Sequence, residues 1–522
     1  MKRITVFDST LRDGAQGEGI NYSAEDKFRI MKSLDKFGID FIEAGNPASN
    51  QKDFDFFLRA SKYEFKHAKL VAFGSTCRHD ISPKDDRNVQ TLLSAGTEYI
   101  AVFGKSWDMQ VTDVLRTSLE ENIRMIYATV EYLVSEGKKV FFDAEHFFDG
   151  YKNSPEYALE SIRAAEKAGA TMVVLCDTNG GCFPDEIFEI TKAAAGAVKI
   201  PVGIHCHNDT GCAAANSIFA VKAGAEQVQG TFIGIGERCG NANLSTVLPS
   251  LVLKLGYDCG SEIDLKNLTK TARLIAEISN IVLPATKPYV GRGAFAHKAG
   301  MHADGVQKNS KSFEHIQPDM VGNVRSFLLS EIAGRTVVHS KLSEIAPELT
   351  RDCKEVGEIM ELLKEMEYKG YQYEAAIPSF EMMVLRHLGK LQKFFSIDYF
   401  KIIGEKADDK MNPCSAIVKV RVGEKTKIAA DEGEGPINAI DKALRQALGA
   451  FYPELSKVHL TDYKVRVVDS KSATAAVVRV LIESSDGENS WTTVGASTDI
   501  INASVTALAD SIDYKLYSLS RA

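Results

Sequence analysis

Residues 172–223 read MVVLCDTNGGCFPDEIFEITKAAAGAVKIPVGIHCHNDTGCAAANSIFAVKA. Two similar units lie back to back in this stretch. Met172–Leu175 is a short apolar run that predicts a strand, and Pro184–Ala197 carries the apolar spacing of a helix. Val202–His205 and Cys212–Ala223 repeat the pattern. Working outward, the same alternation fills the first half of the chain. Strand Ile4–Phe7 precedes helix Ala24–Phe37, with Ser23 as N-cap and Gly38 as stop. Phe41–Ala44 precedes 52–62, Leu70–Phe73 precedes 89–95, and Ile100–Phe103 precedes 113–136. Val140–Phe142 precedes 156–168, and Gln227–Gly230 precedes 244–255. Eight strand–helix units in about 255 residues predict an α/β fold of the (β/α)8 TIM-barrel kind rather than an open doubly wound sheet.

After Asp258 the alternation stops. Residues 265–283 read as a helix without a strand to pair, 284–305 as an irregular excursion, and 342–369 as a charged, solvated helix. From about Asp398 the pattern becomes strand–strand–strand–helix, twice: Tyr399–Ile403, Cys414–Val422 and 425–431 before a helix at 436–448, then 458–468, 473–484 and 490–496 before a helix at 500–516. Ser485-Asp486-Gly487 is a hairpin turn signal. This internal repeat predicts an α+β domain with two equivalent halves. The expected organisation is a catalytic barrel over 1–260, linker and lid segments over 261–392, and a C-terminal regulatory, dimer-type domain over 393–522.

Composition narrows the class. A chain of 522 residues exceeds one domain, and 44% hydrophobic with 25% charged residues is ordinary globular usage. The net charge of −8 opposes nucleic-acid binding, and no apolar stretch is long enough to predict a membrane span. The N-terminal residues lack the apolar core of a signal peptide, and nine scattered cysteines without a CxxC pair predict a reducing, cytoplasmic setting. Cys176 and Cys206 read as buried packing residues.

Catalytic groups of a barrel stand at the C-terminal ends of its strands. There the chain places 8-DSTLRDGAQ-16, Glu43, 143-DAEH-146, 177-DTNGG-181, 205-HCHND-209 and 236-GERCGNAN-243. His205 and His207, two apart on an extended strand, point to one face and can bind one ion. Asp13 from strand 1, which closes on strand 8, and Asn241 add a carboxylate and an amide oxygen. This mixed set suits a divalent Mn²⁺, Mg²⁺, Co²⁺ or Zn²⁺ ion acting as a Lewis acid. Arg12 reads either as an ion-pair partner of Glu43 or Asp13, or as a clamp on a carbonyl or enolate. Glu145 reads as a salt-bridge partner of Arg12 or as half of a dyad with it, and Thr178 as a helix cap or a substrate contact. Gln16 and Glu43 join Arg12 and Thr178 as candidate substrate-binding residues. Gly234–Gly240 has GxGxxxG spacing after the eighth strand and is not a dinucleotide fingerprint.

The run 11-LRDGAQ-16 with Lys27, and the run 202-VGIHCHNDTGCA-213, resemble the two signatures of the 2-isopropylmalate synthase/homocitrate synthase family. The C-terminal runs 433-GEGP-436, 493-TVG-495 and Ala507-Leu508 are similar to that family's regulatory domain, so the resemblance covers the whole chain. The runs 142-FDAEHFFDGY-151 and 175-LCDTNGG-181 most resemble its citramalate-forming branch. The resemblance implies condensation of acetyl-CoA with a 2-oxo acid, pyruvate in that branch, followed by thioester hydrolysis, within isoleucine synthesis. A different oxo acid would make the chain a 2-isopropylmalate, homocitrate or citrate synthase. It implies Asp13, His205, His207 and Asn241 as metal ligands, Arg12 and Glu145 as catalytic groups on acetyl-CoA, and Thr178 on the oxo acid. His302 and Asp304, in 299-AGMHADG-305, match a segment that reaches over the barrel from the partner subunit to assist proton transfer, with His297 as an alternative to His302. A homodimer and an amino-acid effector, isoleucine or leucine, are further implied. The chain departs from its relatives at Phe313, where many carry Tyr, at Asn46, where citramalate synthases carry Trp beside the Pro, and at 472-SAT-474, where a glycine turn is usual. Two other classes compete: a retro-aldol lyase, opposed by the C-terminal domain, and a non-catalytic sensor, opposed by the intact ligand set.

Overall fold

The computed structural model describes residues 3–328, 335–404, 414–468 and 476–521. The 472–474 turn lies outside the described residues. Eight parallel strands close into a barrel in chain order: β1 (Thr5–Asp8), β2 (Phe41–Glu43), β3 (Lys69–Ser75), β4 (Tyr99–Lys105), β5 (Lys139–Glu145), β6 (Met172–Asp177), β7 (Val202–Cys206) and β8 (Gln227–Gly230). Pairing of Asp8 with Gly230 closes β1 on β8 and brings the loops after them side by side, as the sequence predicts. The outer helices are α1 (Ala24–Phe37), α2 (Gln51–Ala60), α3 (Arg87–Ser94), α4 (Leu119–Ser135), α5 (Phe147–Asn153), α6 (Pro155–Lys167), α7 (Pro184–Ala197), α8 (Ala213–Ala223), α9 (Leu244–Pro249) and α10 (Leu268–Ile278).

Local chemistry sets these boundaries. Ser23 and Asp26 form a reciprocal capping box at the start of α1, and Gly38 ends it at φ 97°, a left-handed turn that glycine adopts without strain. Inside the barrel Phe7, Val71, Phe141, Met172, Val174 and Cys176 pack as one apolar plug. Phe141 meets Phe41 edge-on at 5.0 Å. Cys176 and Cys206 are buried, and all nine cysteines are free thiols.

The structure corrects several expectations. The predicted helix over 113–136 is two pieces: a π-turn at Gln110–Leu115 ends at left-handed Arg116, and Ser118 then caps α4. The helix expected over 244–255 loses its regular ladder at Pro249, which has no N–H, and continues as a π-turn over Ser250–Lys254. Helix α5 is an unpredicted turn started by His146 in the left-handed region. The helix read over 265–283 spans Leu268–Ile278, because Asn280 turns left-handed at φ 54°. The expected irregular stretch 284–305 contains a strand and the start of a helix, and the helix read over 342–369 is broken near Pro347.

The chain separates into two compact units. One comprises the chain up to Phe295 with His315–Arg325, and the other comprises Ala296–Glu314 with the described residues from Ser326 on. The segment 261–392 is thus divided between them. The second unit contains β9 (Ala296–His297), α11 (Gly300–Lys308), β10 (Ser326–Phe327), α12 (Arg335–Ile345), α13 (Lys354–Tyr368) and α14 (Ile377–His387). The predicted repeat follows: β11 (Ser396–Gly404), β12 (Cys414–Val422) and β13 (Lys425–Gly433) with α15 (Pro436–Gly449), then β14 (His459–Val467), β15 (Val478–Ser485) and β16 (Ser490–Ser497) with α16 (Ile500–Arg521). Both sheets are antiparallel meanders, and Ser485 pairs with Ser490 across the hairpin read from sequence. Helix α14 is fastened to the second half of the repeat. Arg386 pairs with Asp510 at 2.7 Å and Asp513 at 2.9 Å, and Ser379 Oγ donates to Asp510 and accepts from the Val494 amide.

Candidate metal centre and active site

The site stands at the C-terminal ends of the barrel strands. After β1 the chain turns tightly: the Arg12 and Gly14 amides donate to the Ser9 carbonyl, and the Asp13 amide donates to Ser9 Oγ. This turn presents Arg12 and Asp13 to the mouth. Asp13 Oδ2 lies 3.6 Å from His205 Nε2 and 3.8 Å from His207 Nε2. All three are buried, and their ligand-capable atoms lie within 4.8 Å of one another, the spacing of groups that share one ion. Among the described residues this is the one such cluster.

The electrostatics suit a cation. Burial pushes His205 down to about 3 and lowers His207, so both imidazoles are neutral with lone pairs free. Burial would raise Asp13, but the Arg12 cation and the hydrogen bond from Asn241 outweigh it and hold the carboxyl well below its ordinary range. His205 Nδ1 lies 3.2 Å from Gln229 Oε1, which fixes the proton there and leaves Nε2 as the ligand atom. Asn241 Nδ2 donates to Asp13 Oδ1 at 2.8 Å, while Asn241 Oδ1 is buried without a partner. A buried amide oxygen left unpaired costs about 1–3 kcal/mol, so this atom is well suited to a fourth ligand. The donor set fits a divalent ion.

Arg12, Asp13, Gln16, Glu145, Thr178, His205 and His207 line one cavity of about 350 Å³. Arg12 realises the ion-pair reading: Nε donates to Glu43 at 2.7 Å and Nη1 to Asp13 at 3.0 Å, with the guanidinium 3.9 Å from the Phe73 ring centre. Three sequence expectations change. Glu43 lies fully buried behind Arg12, accepting from Arg12 and Ser9, so it supports the arginine rather than facing the cavity. Glu145 is paired with Lys105 and not with Arg12. Thr178 does not cap its helix; its hydroxyl accepts from the His146 amide at 2.8 Å.

His302 and Asp304 belong to the second unit, on α11. His302 stacks on Phe313 at 4.2 Å and Asp304 pairs with Lys308 at 2.6 Å, whereas His297 is buried against Glu314 at 3.0 Å. Sequence reasoning missed three residues of the barrel mouth, Phe73, Phe103 and Lys105, and gave Asp143 no individual role. Phe73 and Phe103 stack at 5.3 Å on the cavity wall, Lys105 holds Glu145, and Asp143 lines the cavity with Oδ1 unpartnered. The phenylalanines look like core residues in a strand, but Asp143 directly follows the apolar run of β5 and was legible by its position. Asn46, noted as a departure, also lines the cavity.

The chain is similar to known proteins along its whole length. Residues 3–275 match the HMGL-like family, residues 289–370 the homocitrate synthase post-HMGL domain-like family, and residues 374–516 the LeuA allosteric (dimerisation) domain. The chain is 50% identical to an (R)-citramalate synthase from Aquifex aeolicus, covering 99% of this chain and 98% of that one. It is 46% identical to an (R)-citramalate synthase from Geobacter sulfurreducens over the same shares. It is 34% identical to a probable 2-isopropylmalate synthase from Methanopyrus kandleri, covering 98% of each chain. With its barrel, its middle segment and its regulatory repeat all matched in order, this chain belongs to the HMGL-like family and, within it, to the group of 2-isopropylmalate and (R)-citramalate synthases.

Proposed function

We propose that this chain joins acetyl-CoA to pyruvate and hydrolyses the thioester, releasing (R)-citramalate and CoA, so that an acyl group becomes alkyl on transfer. The observation that carries the reading is one cavity holding Arg12, Asp13, Glu145, Thr178, His205 and His207 in a chain that aligns end to end with (R)-citramalate synthases. Asp13, His205, His207 and Asn241 Oδ1 would hold a divalent ion, which would supply Lewis-acid polarisation of the 2-oxo group. The chain's own residues do the rest. Arg12, kept charged by Glu43 and Asp13, donates to the thioester oxygen on which enolate charge develops. Glu145, steadied by Lys105, orients the acetyl group. The Thr178 hydroxyl accepts from the His146 amide and keeps its proton for the oxo acid's carboxylate. Phe73 and Phe103 form an apolar wall suited to a methyl group. The acetyl methyl loses a proton, its carbon bonds to C2 of pyruvate, the C2 oxygen gains a proton, and water cleaves the C–S bond.

His302 with Asp304 assists proton transfer from the partner subunit. His302 is favoured over His297 because His297 is committed to Glu314. The LeuA domain carries dimerisation and allosteric control, with isoleucine or leucine as effector, in a cytoplasmic enzyme of isoleucine synthesis. No helix among the described residues is long and apolar enough to cross a membrane. The test is CoA release, read with a thiol reagent, for pyruvate, 2-oxoisovalerate, 2-oxoglutarate and oxaloacetate, each with and without EDTA. The expected result is release with pyruvate, lost with EDTA and restored by Mn²⁺. Pyruvate giving no more signal than a blank overturns the proposal.

A further inference from the structure

Three loops converge on the metal side of the mouth, after β6, β7 and β8. Gly180, at φ 62°, is pressed onto its neighbour: a Cβ there would stand 2.4 Å from Asp209 Oδ2 and 2.9 Å from the His207 carbonyl carbon. Thr210 donates through its amide and its hydroxyl to the Gly180 carbonyl, at 3.1 and 3.0 Å. The Asn208 amide donates to the Gly240 carbonyl at 2.9 Å. One side chain spans all three loops. Arg238, itself in the left-handed region at φ 54°, donates from Nε to Asp209 Oδ1 at 2.8 Å and from Nη2 to Asp209 Oδ2 at 3.0 Å. The same Nη2 donates to the Thr178 carbonyl at 2.7 Å.

We infer that Arg238 is a positioning residue that locks the loops bearing His207, Asn241 and Thr178 into a geometry competent for metal and oxo acid. The inference rests on the metal-dependent reading above. An isolated surface ion pair stabilises by only about 0–1 kcal/mol. Arg238 differs because its planar fork is bidentate on Asp209 and Nη2 also donates to a main-chain carbonyl of a third loop, a geometry that lysine cannot reproduce. Its reach continues inward, since the Thr178 hydroxyl holds the His146 amide beside Glu145.

Charge and position predict opposite signs, which makes the inference testable. Arg238 is a cation beside the ligand loop, held at Asp209 two residues from His207, and by charge alone it repels a metal ion. If charge were its whole effect, Arg238→Ala would bind Mn²⁺ more tightly. If Arg238 holds the ligands in place, Arg238→Ala binds Mn²⁺ about tenfold more weakly, the low end of the effect of groups that support metal ligands.

The experiment is calorimetric titration of Mn²⁺ into the full-length chain and its Arg238→Ala, Arg238→Lys, Asp209→Asn and Arg238→Ala/Asp209→Asn variants, with near-UV circular dichroism as the fold control. The expected result is weakened Mn²⁺ binding in Arg238→Lys as well as Arg238→Ala, a raised KM for pyruvate, and no additive loss in the double variant. Binding equal to or tighter than that of the unsubstituted chain overturns the inference. If Arg238→Ala does not fold, Arg238→Lys and Asp209→Asn decide on the same criterion. Failure of the unsubstituted chain to bind Mn²⁺ overturns the metal reading itself, a result distinct from variants that bind normally.

Discussion

Gly236→Ala is the sharpest probe of the proposed centre, because it touches the ligands without removing one. Gly236 sits at φ 150°, where an L side chain is strained, and a Cβ there would stand 2.1 Å from Asn241 Nδ2 and 3.1 Å from Asp13 Oδ1. An ordinary contact is about 3.4 Å or more, so the amide must retreat by roughly 1.3 Å. That movement breaks the 2.8 Å bond to Asp13 and the 3.3 Å bond to the Ile235 carbonyl. At about 1 kcal/mol net for each bond, the site loses about 2 kcal/mol, or roughly 30-fold in affinity for the ion. Titration calorimetry with Mn²⁺ measures this directly, and CoA release measures its consequence. The expected outcome is Mn²⁺ affinity lower by one to two orders of magnitude with the barrel's far-UV spectrum unchanged. Unaltered Mn²⁺ affinity and unaltered turnover would show that Asn241 and Asp13 do not act together on a cation.

Three other outcomes are expected. His207→Ala removes a ligand at the mouth, so turnover should vanish while the thermal transition stays within a few degrees; full activity ends the assignment. Burial pushes Asp8 up to about 7, so the folded chain holds a proton that the unfolded chain, near 3.8, releases. Its contribution to stability is therefore complete below about pH 4 and is lost as pH rises through 7, a change of about 4 kcal/mol at 1.36 kcal/mol per pKa unit. Urea unfolding at pH 5 and pH 8 should show Asp8→Asn gaining on the parent protein at the higher pH, and parallel behaviour of the two refutes the shift. In the regulatory repeat, a Cβ on Gly495 would meet the Ala503 carbonyl oxygen at 2.0 Å, a main-chain atom rather than the end of a flexible side chain. Gly495→Ala should cost about 3 kcal/mol and lower the melting temperature of that domain, and a loss under about 1 kcal/mol means that α16 shifts freely.

Much of the barrel was readable because its signals are local. Short apolar runs, Ser23 and Gly38 at the ends of α1, and proline at the start of α7 act through neighbours in the chain. The errors fall where a local signal was overridden or silent. Periodicity continued through Arg116, but the backbone there turned left-handed. Nothing in the residue types near 147–153 marked a helix started by a left-handed His146. The cluster of Asp13, His205 and His207 was legible because two histidines spaced by two on a strand share a face, and strands 1 and 8 of a closed barrel are neighbours. The partners of Arg12 were legible as Glu43 or Asp13, but that of Glu145 was not. Several oppositely charged residues crowd one mouth, and which pair forms depends on side-chain reach across strands.

By itself the sequence determined the eight-unit alternation, the duplicated C-terminal domain and the identity of the candidate ligands, since each follows from spacing along the chain. The tertiary structure alone decided which charges pair. It placed Glu43 behind Arg12, Lys105 on Glu145, Gln229 behind His205 and Arg238 across three loops. The reason is physical: spacing specifies which face a side chain occupies, whereas pairing in a buried mouth depends on distances of a few ångströms between residues as many as 228 positions apart, as between Asp13 and Asn241.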